Sequence, residues 1–177
     1  MKCSSYLVIQ LEPLLDLARL AERFLENLSS VYRYVIQNLK RDTVPVSEEL
    51  DFLRSYLYLI GMRYENAISV DVDEQLERTD GRIPPVCLQL LVENAIKHGT
   101  PQLLGIGEVT ISASRFNHHL VLDIEDNAGL YQPSATGGLG MSLVDKRLRA
   151  HFGDDCGITV ACEPDRFTRI TVRLPLE

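Results

Sequence analysis

A chain of 177 residues with 45% hydrophobic and 24% charged side chains has the material to bury the core of one domain, or of one and a half. The formal net charge is −7 and the basic residues are dispersed, which argues against a surface for phosphate backbones, so we expect no direct binding of nucleic acid. The apolar run from Tyr6 to Leu11 is too short for a signal peptide, and nothing later reaches the roughly 18 apolar residues of a membrane span. We expect the chain as given to be soluble, which is compatible with a fragment cut from a membrane protein.

The four cysteines, Cys3, Cys87, Cys156 and Cys162, form no CxxC pair, and no histidine stands at metal-ligand spacing from them. This usage is typical of thiols in a reducing cytosol, so we expect a cytoplasmic protein with free cysteines that are buried or half-exposed. A zinc site is not expected.

The first third of the chain has the periodicity of two helices. Apolar residues recur every three or four positions from Leu11 to about Asp42, which predicts one long amphipathic helix. A second helix is predicted from Ser47 to Tyr64, with the Ser47 side chain as its N-cap and the acidic Glu48 and Glu49 at the positive end of its dipole. The short segment between them should fold the helices into an antiparallel pair.

Aromatic residues are concentrated in this helical pair, as Tyr32, Tyr34, Tyr56, Tyr58 and Tyr64. They fit two arrangements, which are packing between the two helices or a seam where a second copy of the chain docks. Because two helices alone have too little core, their apolar stripe must be buried against something. A homodimer through the N-terminal helices therefore stays open as an alternative.

After Asn66 the apolar residues alternate with polar ones, which is the period of β-strands. Strands are predicted at Ala67–Asp73, Glu108–Phe116, His119–Asp126, Gly157–Glu163 and Phe167–Leu176. The last four form two hairpins, closed by Asn117-His118 and by Pro164-Asp165. With helices at Pro84–Gly99 and Met141–Gly153, the pattern predicts an α+β sandwich of two layers, in which helices cover one face of one sheet.

The helix predicted from Pro84 to Gly99 is marked at both ends, because proline is tolerated in a first helical turn and glycine readily ends a helix. Its apolar face is formed by Val86, Leu90, Leu91, Ala95 and Ile96. Asn94 lies within that face, and His98 follows one turn later on the same side. A polar group in such a place usually has a partner. The Asn94 amide could have either of two partners, a neighbouring loop that it caps or a ligand.

A loop rich in glycine, DNAGLYQPSATGGLGM, joins the strand that ends at Asp126 to the helix that begins near Met141. Glycines let backbone N–H groups approach a phosphate closely, and the following helix offers its positive end. The GGLG sequence alone is equally consistent with a flexible turn. The helix is predicted to face the sheet with Met141, Val144, Leu148 and Phe152, and to expose Lys146, Arg147 and Arg149.

Three motifs occur in order, LQLLVENAIKHG at Leu88–Gly99, DNAG from Asp126, and then GGLG. Together they resemble the GHKL ATP-binding fold, and more closely the LytS-type sensor histidine kinases. Two earlier segments, Phe24–Asn38 and Val44–Tyr64, look like those that precede the ATP domain in that family. The resemblance covers nearly the whole chain.

The resemblance implies two units. Residues 1–64 would be a helical remnant of the dimerisation region, and residues 65–177 would be the ATP-binding catalytic domain, a Bergerat-type sandwich with a mixed sheet covered by helices. The implied cofactors are ATP and Mg²⁺. Asn94 would coordinate the Mg²⁺ that bridges the nucleotide phosphates.

Further site residues follow from the same resemblance. Lys97 and His98 would lie near the phosphates or the ribose, although Lys97 has an alternative in an ion pair with Glu93, four residues earlier. Asp126 would accept a hydrogen bond from the adenine amino group at the bottom of a pocket, and Gly129 would leave room for the base.

The remaining implied residues are Gly138 and Gly140, which would cradle the phosphates, and Thr168, which would touch the adenine through a water. Elementary chemistry agrees with this assignment. Magnesium prefers oxygen ligands such as the asparagine amide, and phosphoryl transfer depends mostly on positioning and charge neutralisation.

Two features depart from related patterns. In hydrolytic members of the wider fold, a glutamate one turn before the asparagine is the general base, and Leu90 occupies that position here, which disfavours a self-contained ATPase. Glu93 is adjacent to Asn94 but turned about 100° around the helix. It is retained as the candidate catalytic residue, which would orient a group or accept a proton.

The second departure concerns the phosphate acceptor. LytS-like kinases place the acceptor histidine in a QxxPHFLFN-like stretch, whereas here Gln10 to Pro13 is followed by Leu14, and no histidine precedes His98. Either this helix has been cut and rejoined, or the protein is an ATP-binding relic. In both cases the chain is not expected to phosphorylate itself.

The expected function is the ATP-binding catalytic portion of a two-component sensor histidine kinase, which positions Mg-ATP for phosphoryl transfer to a histidine supplied elsewhere. The implied partner is a response regulator of the LytTR type. The parent kinase would be anchored at the inner face of the cell membrane. The alternative is a non-catalytic interaction module with a vestigial ATP pocket, whose helical pair recruits a kinase or a response regulator.

Overall fold

The computed structural model describes residues 3–38, 40–64, 68–73, 76, 78–99, 107–131 and 139–176. The chain begins with two antiparallel helices, α1, Cys3–Asn38, and α2, Val46–Arg63. The helix α1 begins earlier than the predicted Leu11 and ends before the predicted Asp42. No helix in the described part of the chain is both long enough and apolar enough to cross a membrane.

The described strands are β1, Val44–Pro45; β2, Ile68–Val72; β3, Arg82–Ile83; β4, Gly107–Phe116; β5, His119–Asp126; β6, Gly157–Glu163; and β7, Phe167–Pro175. Five of them form a mixed sheet in the order β2-β4-β5-β7-β6, in which β2 runs parallel to β4 and the other neighbours are antiparallel. The short strands β1 and β3 pair separately. The predicted α+β architecture with a mixed sheet is confirmed.

The two hairpins, β4-β5 and β6-β7, lie where they were predicted, to within one residue at each strand end. Their turns contain Asn117 with φ 55° and Asp165 with φ 60°. Asparagine and aspartate tolerate this left-handed conformation better than other side chains, so the turn sequences suit the hairpins.

Two helices cover the sheet, α3, Cys87–Gly99, and α4, Leu139–Phe152, and a short 3₁₀ turn, Gly153–Asp155, follows α4. Pro84 does not lie in the first turn of α3, which corrects the prediction. The chain is still in β3 at Ile83 and turns into the helix through Val86, whose φ is 68°. Pairing with β1 therefore delays the start of α3.

The start of α2 also differs from the prediction, since Ser47 does not cap it. The helix begins at Val46, and its N-cap residue Pro45 makes no side-chain hydrogen bond. The Val46 amide donates instead to the carbonyl of Gly81 at 2.9 Å. An amide that lacks a partner within its own helix is thus satisfied by the segment that leads into β3.

One apolar core lies between the sheet and the helices. Its buried residues include Leu120, Leu122 and Ile124 of β5, Leu88, Leu91 and Val92 of α3, and Val144 and Leu148 of α4. As predicted, Met141 and Phe152 pack against this core, and Lys146, Arg147 and Arg149 are exposed. Leu50 and Leu53 of α2 belong to the same cluster, so the packing continues from the helical pair into the sandwich. The division at residue 64 stays a prediction.

Candidate functional site

Asn94 projects from α3 toward the first turn of α4. Its Nδ2 atom is buried and has no hydrogen-bond partner among the described residues. A Cβ atom placed on Gly140 would lie 3.0 Å from Asn94 Nδ2 and 3.4 Å from Oδ1. Because a buried N–H donor without a partner costs free energy, Nδ2 is suited to donate to an acceptor outside the protein. Gly140 lets the positive end of α4 approach it closely.

Asp126 is the last residue of β5 and is only 4% exposed. Its Oδ1 atom accepts hydrogen bonds from the amides of Ala128 at 3.0 Å and Gly129 at 3.3 Å. Burial raises the pKa of the Asp126 carboxyl above its usual range, against the lowering effect of these amides and of Thr168. The turn after β5 therefore fixes a buried acceptor at the edge of the sheet.

Thr168 lies directly opposite Asp126 in the pairing of β5 with β7, and it is 3% exposed. Its hydroxyl lies 3.8 Å from the Sγ atom of Cys162 on β6, and it also hydrogen-bonds the Asp126 carboxyl. The structure thus brings together two residues that are 42 positions apart in sequence, both of which were predicted to meet the adenine.

Gly129 has a φ of 63°, and its environment gives a reason for glycine that the sequence did not. A Cβ atom at this position would lie 2.2 Å from the carbonyl oxygen of Glu163 and within 2.9 Å of the amides of Asp165 and Arg166. The loop after β5 therefore packs directly on the turn between β6 and β7. Room for the base at Gly129 stays a prediction.

Lys97 and Glu93 form the ion pair that was the alternative for Lys97. Glu93 also accepts a hydrogen bond from Gln89 Nε2 at 2.7 Å. Burial alone would raise the pKa of Glu93, but the hydrogen bond and charge of Lys97, with further hydrogen bonds from Gln89 and Tyr56, hold it below its usual range. A carboxylate held in this way is a poor proton acceptor, and its catalytic role stays a prediction.

Two predicted site positions lie outside what can be described. Gly138 is not among the described residues, and for His98 only the backbone, at the end of α3, is described. The roles of both residues at the phosphates remain predictions.

Glu49 is a buried polar residue that the sequence analysis treated only as a favourable charge in the first turn of α2. The structure makes it 0% exposed. The spacing of Val46, Glu49, Leu50 and Leu53 is that of a buried helical face, and this signal separates Glu49 from its half-exposed neighbour Glu48.

The geometry defines a class of protein, an α+β sandwich in which a buried asparagine of α3 lies against the first turn of α4 and a buried aspartate ends β5. Residues 85–177 match the family described as histidine kinase-, DNA gyrase B- and HSP90-like ATPase, and residues 8–68 match the histidine kinase family. The first match spans more than half of the chain, so the chain belongs to this ATPase family. The second match places a histidine kinase region in front of the ATPase domain.

Individual relatives agree with this membership. The sensor histidine kinase BtsS of Escherichia coli K12 is 50% identical over 158 residues, which cover 88% of this chain and 28% of that protein. The sensor protein LytS of Bacillus subtilis is 27% identical over 170 residues, with coverage of 88% and 28%. The chain thus spans 28% of the length of these curated relatives.

A solved histidine kinase domain, from the blue-light activated kinase of Erythrobacter litoralis, shares the fold. It matches with a TM-score of 0.56 and 18% identity over 88% of this chain and 74% of that chain.

Proposed function

We propose that this chain binds Mg-ATP at the site formed by Asn94, the first turn of α4 and Asp126, and positions it for phosphoryl transfer to a histidine. The observation that carries the proposal is the buried Asn94 side chain beside the first turn of α4, whose Nδ2 atom is a donor without a partner among the described residues and would suit a phosphate oxygen, which leaves Oδ1 as the atom for a metal. An amide oxygen is a hard ligand of the kind that magnesium prefers, and a helix start favours phosphate. The donor set at this place therefore fits a metal nucleotide.

Each residue of this site has a distinct part in the proposal. Asn94 would hold the Mg²⁺, and this ion would neutralise charge on the phosphates during transfer. The amides at the start of α4, around Gly140, would bind phosphate oxygens. Asp126 would accept a hydrogen bond from the exocyclic amino group of adenine, and Thr168 beside it would complete the contact to the base.

The phosphoryl acceptor is proposed to come from another chain. The segment 8–68, which matches the histidine kinase family, contains no histidine. Transfer in trans keeps the catalytic role of the ATP site and needs no acceptor within this chain.

The proposed partners follow from the same role. The chain would act with a response regulator, of the LytTR type, in the cytoplasm, and a parent kinase would be held at the membrane. The helical pair would join two copies of the chain. In support of this, α1 exposes an apolar seam that does not face α2, formed by Leu14, Leu25, Tyr32 and Ile36.

Calorimetric titration with a non-hydrolysable ATP analogue and Mg²⁺ tests the proposal. We expect binding by the wild-type chain and a loss of at least about tenfold in affinity in Asp126→Asn, because the amide has no charge and replaces one of the two acceptor oxygens by a donor. Asp123→Asn removes the same charge from the opposite face of β5 and should bind normally. No heat from the wild-type chain at millimolar analogue would refute the proposal.

A second candidate is a non-catalytic module that binds ATP without transferring phosphate. It is favoured by the absence of a histidine from residues 8–68 and by the engagement of Glu93 with Lys97. Incubation of the chain with radiolabelled ATP and a BtsS variant whose own nucleotide site is disabled separates the two. Label on BtsS supports transfer in trans, and binding without label supports the second candidate.

A further inference from the structure

Glu49 of α2 is fully buried, and its carboxylate reaches across to the beginning of α3. Its Oε1 atom accepts the amide of Val86 at 2.7 Å, and its Oε2 atom accepts the amide of Leu88 at 3.0 Å. The first amides of a helix have no partner within that helix. Glu49 therefore caps α3 from a different helix. In most helices the capping side chain comes from the residue that directly precedes the helix.

The turn that Glu49 caps is also held from the other side. Arg147 of α4 donates from Nη1 to the carbonyl of Pro85 at 2.9 Å. Val86, between these contacts, has the positive φ of 68° that a branched side chain rarely adopts. A conformation of this kind persists only where its surroundings impose it, and here α2 and α4 impose it together.

The same carboxylate is in contact with α1. The hydroxyl of Tyr34 donates to Glu49 Oε1, and the Tyr34 ring stacks on Phe52 of α2 with the ring centroids 4.3 Å apart. One carboxylate thus joins α1 and α2 to the start of α3, the helix that carries Asn94.

We infer that Glu49 is a positioning residue for the nucleotide site, because it fixes the first turn of α3 and so holds Asn94 against the first turn of α4. Asn94 lies eight residues after Val86, about 12 Å along a stiff helix. A change in tilt or rotation at the capped end is therefore carried to the amide. The inference rests on the proposed function, and it adds that the packing of the helical pair sets the affinity for Mg-ATP.

A cap that only stabilises the fold would not have this effect, and two measurements on the full 177-residue chain separate the alternatives. The first is the nuclear magnetic resonance signal of the Asn94 side-chain amide, identified by its loss in Asn94→Asp. The second is the affinity for a non-hydrolysable ATP analogue with Mg²⁺. The resonance needs no ligand, so it tests the positioning of Asn94 even if the proposed function fails.

The test variant is Glu49→Gln, which keeps the volume but cannot accept both backbone amides. We expect a shift of the Asn94 side-chain resonance and an affinity on the order of tenfold weaker, as when the group that orients a metal ligand is lost. Glu48→Gln is the matched control, because Glu48 is the neighbouring carboxylate and its ion pair, with the exposed Arg41 at 2.8 Å, does not reach α3. It should change neither measurement.

Two further variants keep the test decisive. Ile158→Ala removes packing from the edge strand β6 and should lower the melting temperature without shifting the Asn94 resonance or the affinity. Tyr34→Phe removes one donor from Glu49 and should shift both readouts in the same direction as Glu49→Gln, to a smaller extent. It replaces Glu49→Gln if that variant does not fold.

The outcomes are distinct. An unshifted Asn94 resonance in folded Glu49→Gln, or a shift equal to that in Ile158→Ala, would overturn the inference. Wild-type chain that binds no analogue would overturn the proposed function, while a resonance shift confined to Glu49→Gln and Tyr34→Phe would still support the positioning of Asn94.

Discussion

Asp126 and Gly129 are three residues apart in the DNAG motif, yet different forces constrain them. Asp126 is constrained by electrostatics, because its carboxyl is buried and, among the described residues, is hydrogen-bonded to the amides of Ala128 and Gly129 and to Thr168. Gly129 is constrained sterically, because the backbone of the β6-β7 turn occupies the volume that any side chain would need. Each constraint gives a prediction that requires no nucleotide.

The burial of Asp126 predicts a pH dependence of folding. Because burial raises the pKa of this carboxyl in the folded chain, the folded state binds the proton more tightly than the unfolded state does. The stability of wild type relative to Asp126→Asn should therefore fall as the pH rises from about 4 through the raised pKa, with a slope of at most about 1.4 kcal/mol per pH unit.

Urea unfolding of both proteins at a series of pH values measures this slope. The constant offset between the two curves reflects the exchanged hydrogen bonds, so the slope of the difference is the test. Parallel curves, or a difference of opposite sign, would contradict a raised pKa.

Gly129→Ala should destabilise the chain by about 3 kcal/mol, because it combines a left-handed backbone with a clash against backbone atoms. Gly153→Ala separates the two effects, since Gly153 has a φ of 65° and open space around it. We expect about 1 kcal/mol for that variant. Gly157→Ala, with neither constraint, should be close to neutral. Equal free energies of unfolding for Gly129→Ala and Gly153→Ala would show that the close approach is absent.

At the scale of helices and strands, the sequence correctly predicted those elements whose ends are determined by neighbouring residues. The hairpins β4-β5 and β6-β7 were placed to within one residue, because alternation and the turn residues Asn117 and Asp165 lie within a few positions of each other. The cap of α2 and the start of α3 were misplaced for the opposite reason. Amides in their first turns bond to Gly81 and to Glu49, which are distant in sequence, and no local pattern encodes those partners.

The site residues were likewise predicted where local sequence determines them and missed where it does not. The motifs at Asn94, Asp126 and Gly140 were found because each lies at the end of an element or on a helix whose face the sequence defines, and their order along the chain led to the resemblance. Glu49 was missed as a site residue although its helical spacing predicts burial. A buried glutamate is visible in the pattern, but its partners at Val86 and Leu88 are fixed only by the packing of α2 on α3.

At the scale of the whole molecule, the long helix α1 has two faces with different environments. The half-buried face, which includes Phe24, Leu28 and Val31, packs beside α2. Leu25, Tyr32 and Ile36 lie on a separate line and are 63%, 63% and 69% exposed. Leu14, 61% exposed, extends this line, since at 3.6 residues per turn the four positions fall within about 40° of each other. An apolar line of this length on a single chain is suited to pair with a second copy.

We therefore expect the wild-type chain to sediment as a dimer and the double variant Leu25→Glu with Ile36→Glu to sediment as a monomer. Each substitution replaces an apolar contact in the seam by a charge. Because both substitutions occur in both chains of the dimer, the dissociation constant should rise more than about 100-fold. Glu26→Lys changes a charge on the solvated side of the same helix and should leave the dimer intact. Analytical ultracentrifugation over a range of concentrations measures all three, and a wild-type chain that stays monomeric throughout would refute pairing through α1.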